Sequence, residues 1–220
     1  NGPMGAMLAL QQRFNDADRD KTEHLVDLAL NLTRKLSSDL DLQMGVARKQ
    51  RAPSYQERYL WGPFQSTSGL ADGNNYLGDI NLDPETAYQF ELGLDWHQPD
   101  FALSPSIFYH HINDYIQGVA ATDPLAIAAS TMMGDSTPLR FSNVDARLYG
   151  VDTGWFAALS DHWQLDGTIS YVRGERRDTS DNLYRVAPLT ARTQLRYVEP
   201  DWQLGGELVN VAAQSKVSAE

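Results

Sequence analysis

Trp163-Gln164-Leu165-Asp166-Gly167-Thr168-Ile169-Ser170-Tyr171 decides the fold of this chain: apolar or small residues hold the odd positions and polar residues the even ones. An extended strand sends successive side chains to opposite faces, so this segment has one apolar face and one wet face. The same alternation runs through Val26, Leu28, Leu30 and Leu32, interleaved with Asp27 and Asn31. It recurs in Leu40, Leu42, Met44 and Val46, with Asp41 and Gln43 between them, and in Tyr88, Phe90, Leu92, Leu94 and Trp96, with Gln89, Glu91 and Asp95 between them. Nine strands are expected on this pattern, over residues 6–14, 24–36, 40–51, 86–96, 102–119, 139–159, 163–173, 189–198 and 202–212. Gly150 and Gly154 predict a bulge or register change in the sixth.

The connections alternate as regularly as the strands. Residues 37–39, 97–100, 160–162 and 199–201 are short and built from turn-forming Ser, Asp, Pro and His. Residues 15–21, 52–85, 120–138 and 174–188 are longer and fall on the other side. Brief turns on one side and long loops on the other are the mark of bacterial transmembrane barrels, with the turns periplasmic and the loops extracellular. Trp96, Trp163 and Trp202 each stand beside a short turn, where an interfacial aromatic belt places an amphipathic ring. The expected fold is therefore all-β, a partial antiparallel transmembrane β-barrel, rather than a soluble sandwich. The sandwich would share the period but needs a second layer to cover so much apolar surface. An odd number of strands with two free edges implies neighbours outside the chain, because lipid tolerates no unpaired sheet edge.

Composition narrows the function classes. The 220 residues are 42% hydrophobic with a mean hydropathy of -0.44, and no run approaches the ~18 apolar residues of a membrane helix. Twenty-nine acidic against 18 basic residues leave a net charge of -11, which argues against nucleic acid as a partner. There is no cysteine, hence no disulfide, thiolate metal site or Cys nucleophile. The five histidines, His24, His97, His110, His111 and His162, have no Gly-x-Ser-x-Gly turn near them, and no HExxH, phosphate-loop or dinucleotide signature occurs. No enzyme activity and no cofactor are expected. With no basic, apolar leader and an abrupt stop after Val209-Asn210-Val211-Ala212-Ala213-Gln214, residues 1–220 are expected to be a piece of a longer chain, truncated at both ends.

From Arg48 onward the sequence resembles a known family. Ala47-Arg48-Lys49-Gln50-Arg51-Ala52-Pro53-Ser54-Tyr55-Gln56-Glu57-Arg58-Tyr59, then a Gly/Asn-rich stretch and Asn81-Leu82-Asp83-Pro84-Glu85-Thr86 leading into Glu91-Leu92-Gly93, is similar to the barrel of TonB-dependent outer-membrane receptors. A second matching block is Phe141-Ser142-Asn143-Val144-Asp145-Ala146-Arg147-Leu148-Tyr149-Gly150-Val151-Asp152, where the family commonly has Glu in place of Asp152. The resemblance implies a 22-stranded barrel in a Gram-negative outer membrane, of which this chain supplies about nine C-terminal-side strands, with the plug domain absent. It also implies uptake of a scarce metal or metal complex (copper, a siderophore or similar), energised by TonB through that plug, with membrane lipid and lipopolysaccharide as further partners. A passive porin and an outer-membrane barrel enzyme are the alternatives.

The tail from Asp178 through Tyr184-Arg185-Val186-Ala187-Pro188 to Gln214 is most similar to receptors assigned to copper. Copper prefers soft donors, so Met132, Met133, His110 and His111 are the metal-ligand candidates. Against them, adjacent methionines commonly fill apolar gaps, and adjacent strand histidines point to opposite faces. Substrate contact is expected from Arg58, Tyr59, Trp61, Met132 and Met133 in the outer loops. Asp72-Gly73-Asn74-Asn75 with Asp79 and Asn81 offers hard oxygens of the kind Ca²⁺ takes, but reads better as a polar surface loop. The run Arg173, Glu175, Arg176, Arg177 and Asp178 offers arginines to an anionic chelate or lipopolysaccharide, and reads better as a solvated loop base.

Overall fold

In the computed structural model, which describes residues 3–65 and 72–218, the chain is a meander of eight long strands with its loops gathered at one end. The strands are β1 (Leu28–Lys35), β2 (Leu40–Arg51), β5 (Glu85–Gln98), β6 (Phe101–Ala120), β7 (Leu139–Ala158), β8 (Trp163–Arg176), β9 (Thr190–Val198) and β10 (Gln203–Val211). Each pairs antiparallel with the next, in the order β1-β2-β5-β6-β7-β8-β9-β10. Two short strands, β3 (Phe64–Gln65) and β4 (Asn75–Leu77), lie within the long connection after β2, and β4 joins β7 in parallel. Three helices complete the chain: α1 (Pro3–Asp16), α2 (Tyr55–Tyr59) and α3 (Pro124–Met132). No helix among the described residues is long and apolar enough to cross a membrane.

The register places the alternating apolar residues on one face. Leu32 pairs with Met44, Met44 with Leu92, Leu92 with Ile107, Ile107 with Val151 and Val151 with Tyr171. Among the described residues nothing covers this face: Leu30, Leu32, Val46, Ile107, Val151, Leu204 and Leu208 all stand exposed. An apolar surface this continuous has to meet something other than water. Its two margins are aromatic. Trp96 meets Phe101, and Tyr197 meets both Trp163 and Trp202, with ring centroids 5.0 to 5.5 Å apart at the short-turn end. Tyr88, Tyr109, Tyr149 and Tyr171 ring the other end on the same face. Tyr88 and Trp96, Phe101 and Tyr109, Trp163 and Tyr171 are each eight positions apart. Eight residues rise ~26 Å along a strand, which at a tilt of ~40° is about 20 Å of membrane normal, close to the apolar band of a transmembrane barrel.

Three expectations are corrected. Residues 6–14 form no strand but most of α1. Ala6 and Leu10 are buried, with Met7 packed beside them, so the apolar positions follow a helical period, and Ala, Met, Leu and Gln are strong helix formers. The meander accordingly has eight long strands rather than nine. The register change is also not at the glycines of β7, whose pairing with β8 is continuous. It falls in β6 between Ile112 and Tyr115, where Asp114 adopts a φ of 58° and Asn143 Nδ2 donates to its carbonyl at 2.8 Å. Gly150 is small for another reason: a Cβ there would lie 2.2 Å from the Tyr171 carbonyl and 2.6 Å from the Phe108 ring. Residues 24–27, expected at the start of the second strand, precede the ladder, which opens at Leu28.

β6 and β7 are each 20 residues long, about twice what a bilayer crossing needs. Their surplus projects beyond the tyrosine margin and is packed on both faces by the chain's own loops. Tyr76, Leu82, Ile116, Leu139 and Phe141 form one buried cluster, and Ile112, Ala146 and Leu183 another. A third joins Ala6 and Leu10 of α1 to Leu77, Ala126 and Ala129. The buried core of the molecule is thus a cap at the long-loop end, while the spanning sheet has none.

Candidate functional site

The cap is fastened to the sheet at several points, among them β4 on β7, Asp79 on Arg140 and the ion pairs of Arg51 at the end of β2. Arg51, the last residue of β2, donates to Glu57 Oε2 at 2.8 Å and to Glu85 Oε1 at 2.7 Å, joining the start and end of the loop over 52–84. Glu85 Oε1 also accepts the Ile116 N–H at 2.8 Å, just past the β6 bulge. α2 begins with a reciprocal cap: Ser54 Oγ accepts the Glu57 N–H at 3.3 Å and Glu57 Oε2 accepts the Ser54 N–H at 2.6 Å. Burial pushes the Glu57 carboxyl up, but the Arg51 guanidinium and the Ser54 N–H outweigh it and hold the group below its ordinary value. The end of α2 then receives Gly78, whose N–H donates to the Leu60 carbonyl at 2.7 Å. Only glycine permits this approach, since a Cβ would lie 2.7 Å from the Leu60 nitrogen.

Further ties lock the remaining loops to this one. Asp72 Oδ2 accepts both the Tyr76 and the Tyr184 hydroxyl at 2.6 Å, so one carboxylate joins the loop after β2 to the loop after β8. Burial pushes Asp72 up, but the hydroxyls of Tyr184 and Tyr76 and the Asn74 N–H bring it below its ordinary value. Asn75 donates from Nδ2 to Ser130 Oγ at 2.8 Å, holding β4 to α3, and Arg13 of α1 pairs with Asp123, the N-cap of α3.

Between these elements is a cavity of about 340 Å³ bordered by α1, the α2–β3 turn, residues 77–81 and the start of α3. Arg58 and Trp61, two of the expected contact residues, line it. Arg58 is only 6% exposed; its Nη2 donates to Glu23 Oε1 and to the Leu82 carbonyl, each at 2.6 Å, and its Nε has no partner among the described residues. Trp61 packs on the α1–α3 cluster and meets Phe64 edge-on at 5.7 Å. Tyr59 lies just outside, its hydroxyl donating to the Arg19 carbonyl at 3.0 Å. Sequence reasoning missed Arg13, Lys21 and Arg140, which also border the cavity, and singled out Asp79 and Asn81 there only as hard oxygens for a cation. Four basic side chains there (Arg13, Lys21, Arg58, Arg140) face three acidic ones (Asp18, Asp79, Asp123), in a chain whose net charge is -11.

The soft-donor candidates are not brought together. Met132 ends α3 and Met133 caps it, exposed and away from the cavity. His110 shares a face with Gln89 and Leu148, whereas His111 faces outward with Tyr88 and Arg147. No group of three or more His, Asp or Glu side chains able to hold a metal ion occurs among the described residues. Of the hard oxygens of the loop at 72–81, the Asp72 carboxylate is engaged by the two tyrosines and that of Asp79 by Arg140 at 2.8 Å and by the Asn81 N–H at 3.0 Å, while the buried Asn75 Oδ1 has no hydrogen-bond partner among the described residues. In the charged run, Arg173 and Arg147 both donate to Glu175, and Arg176 pairs with Asp178 at 2.7 Å. Arg177 donates to Asn113 Oδ1 at 2.6 Å.

An open antiparallel meander with one bare apolar face, aromatic margins and all its long loops on one side matches, over residues 11–219, the family described as TonB dependent receptor-like, beta-barrel. The chain belongs to that family. It is 25% identical over 175 residues to the ferrienterobactin receptor of Escherichia coli K12, a match covering 77% of this chain and 23% of that protein. It is 27% identical over 214 residues to the heme/hemopexin utilization protein C of Haemophilus influenzae 86-028NP, covering 90% and 29% respectively. Among solved structures it superposes on the copper transporter OprC with a TM-score of 0.68 at 21% identity, covering 86% of this chain and 26% of that one. The siderophore receptor PirA of Pseudomonas aeruginosa gives a TM-score of 0.62, also at 21% identity, covering 84% of this chain and 33% of that one. This receptor-barrel segment therefore spans between about a quarter and a third of the length of these relatives.

Proposed function

We propose that this chain is the later barrel wall and outer cap of a longer TonB-energised receptor in a Gram-negative outer membrane, taking up a scarce metal as its complex. The observation that supports the reading is the pairing of a sheet with one bare apolar face and a self-packed cap that encloses a cavity at the long-loop end. The capture step belongs to that cavity, where Arg58 and Trp61 present a guanidinium and an indole. Its lining carries four basic and three acidic side chains in a chain with an acid surplus, and an anionic chelate would be held by exchange with the carboxylates of Asp123, Glu23 and Asp79 that pair Arg13, Arg58 and Arg140. The naming of relatives for ferric enterobactin, heme and copper supports metal uptake as the class. Met132 and Met133, exposed at the tip of α3, are the soft donors positioned for a first encounter should the cargo be copper. No chemical transformation is assigned to the site, and the energy for passage enters through TonB and a plug domain.

The outer margin supplies a lipid partner. Arg48 and Arg147 share one lipid-facing row with Tyr88 and His111, while Arg173 pairs with Tyr149. These guanidiniums stand at the level where lipopolysaccharide phosphates begin. The reading is tested with the full-length receptor. Binding titrations and deletion-strain growth across ferric, heme and copper sources should give saturable binding of one chelate and a growth defect on that source alone. Equal growth on all of them, with no binding, would refute it.

A further inference from the structure

A groove of about 370 Å³ lies on the outward face of the sheet at its short-turn end, walled by Leu40, Leu94, Trp96, Leu103 and Pro105, with Asp39 at its rim. The register gives it a direction. Leu40 pairs with Trp96 and Trp96 with Leu103 beside the turn over 37–39, while Leu94 and Pro105 lie further in, toward the middle of the sheet. Its cause is local. Pro105 has no N–H to give the ladder, and the pairing of β5 with β6 skips Leu94 and Asp95. Pro105 and its neighbour Thr153 are short where the next row inward carries Ile107 and Val151, so the surface dips. The groove therefore runs from hydrocarbon depth to the aromatic margin where Trp96 meets Phe101. An apolar wall with a charged rim on that axis has the profile of one lipid, chain inward and head at the turn, and its volume is within the ~300–1,000 Å³ of ligand sites.

Charge selects the head. The short turns hold Asp39, Asp100, Asp161, Glu199 and Asp201 and no Lys or Arg, whereas the opposite margin of the same face carries Arg48, Arg147 and Arg173. Asp39 takes part in no ion pair among the described residues. Glu199 differs: it accepts the Tyr197 hydroxyl at 2.6 Å and lies 3.5 Å from His162 Nδ1. Arg34 stands on the outward face beside the groove, paired with Leu42, which pairs with Leu94. A lipid-facing arginine extends its guanidinium to the nearer headgroups. One carboxylate and one guanidinium at the mouth of an apolar groove complement a head that carries both an ammonium and a phosphodiester. We propose that this groove binds one phospholipid of the periplasmic leaflet with a primary-ammonium head: acyl chain on Leu94 and Pro105, ammonium on Asp39, phosphodiester on Arg34. The inference needs the outward face to meet lipid, and no particular cargo.

The test titrates the full-length receptor in detergent with phosphatidylethanolamine and phosphatidylglycerol of identical chains, with bound lipid counted by native mass spectrometry. One phosphatidylethanolamine should be retained about tenfold more tightly than phosphatidylglycerol. Asp39→Asn should erase that preference by weakening phosphatidylethanolamine alone. It keeps the backbone contacts of the turn, the Asp39 N–H to Ser37 Oγ at 3.2 Å and the His97 N–H to the Asp39 carbonyl at 2.9 Å, so the variant should melt with wild type. Arg34→Gln should weaken both lipids by the same factor, since both carry the phosphodiester. Glu199→Gln, whose carboxylate is already engaged, should leave the preference unchanged. Equal retention of the two lipids by wild type overturns the proposal, as does a preference that survives Asp39→Asn or is lost in Glu199→Gln. Uptake of a metal complex without any lipid preference would refute this inference and leave the transport reading standing. A preference without uptake would do the reverse.

Discussion

Leu92 lies midway along β5 between Tyr88 and Trp96, pairs with Met44 and Ile107, and faces outward. If that face meets lipid, Leu92 is close to the bilayer midplane, and Leu92→Arg places a guanidinium there at a cost of about 2–4 kcal/mol. That lowers the folding equilibrium constant by about 30- to 700-fold. Glu91, next in the chain, points to the opposite face with 63% of its side chain exposed. Glu91→Arg is the matched control, expected to stay within about 0.5 kcal/mol because a solvated position changes only its charge. Equilibrium urea titration of the full-length receptor into phospholipid vesicles, followed by tryptophan emission, reads both. The reasoning fails if the two variants are equally stable, or if Glu91→Arg is the more damaging. Either result would mean that water, rather than hydrocarbon, covers the face carrying Leu92.

Arg58→Ala should weaken chelate binding at least tenfold in equilibrium titration, while Tyr59→Phe, which removes only a hydroxyl bonded to a backbone carbonyl outside the cavity, should leave it within twofold. Asp72 sits below its ordinary value in the folded protein, so its contribution is complete above the usual carboxylate range of about 4. That contribution is lost as pH falls through the lowered folded value. The tie between the two loops should therefore hold at neutral pH and open only in strong acid, whereas Asp72→Asn should raise amide exchange in residues 177–189 already at pH 7. Gly167→Val should destabilise by roughly 1–3 kcal/mol through overpacking, because a Cβ there would fall 2.3 Å from the Trp155 ring; a chemical denaturation midpoint equal to wild type would contradict this. Replacing Met132 and Met133 by Leu should abolish any copper retention while leaving ferric-chelate affinity unchanged, as measured by paired titrations.

The strands were legible because lipid on one side and water on the other impose a period of two that nothing else in the fold overrides. β2 begins and ends at the residues its pattern marks. α1 is ambiguous by period alone, because Ala6, Leu8 and Leu10 fit a strand while Ala6, Leu10 and Phe14 fit a helix. Propensity, which favours the helix, was the signal that separates them. Glycines in β7 suggest a bulge there, yet the chain places it at Asn113-Asp114, residue types that accept left-handed or locally hydrogen-bonded backbone. Arg58 and Trp61 could be guessed as outer-loop residues, but their partners could not. Arg13 comes from α1, and Arg140 from the start of β7, so neither is near them in sequence. The groove at Asp39 left no sequence signature at all, since Pro105 reads as one more apolar position and only the pairing of β2, β5 and β6 gathers its walls.

The knot of Arg51, Glu57 and Glu85 gives the cap a mechanical character. One guanidinium grips the loop helix and the next strand, and Glu85 in turn grips the backbone of a third strand at Ile116. A tug on α2 thus finds no slack chain to stretch. It is delivered as load to three neighbouring staves, and the lid and this arc of the wall shift together or stay put together.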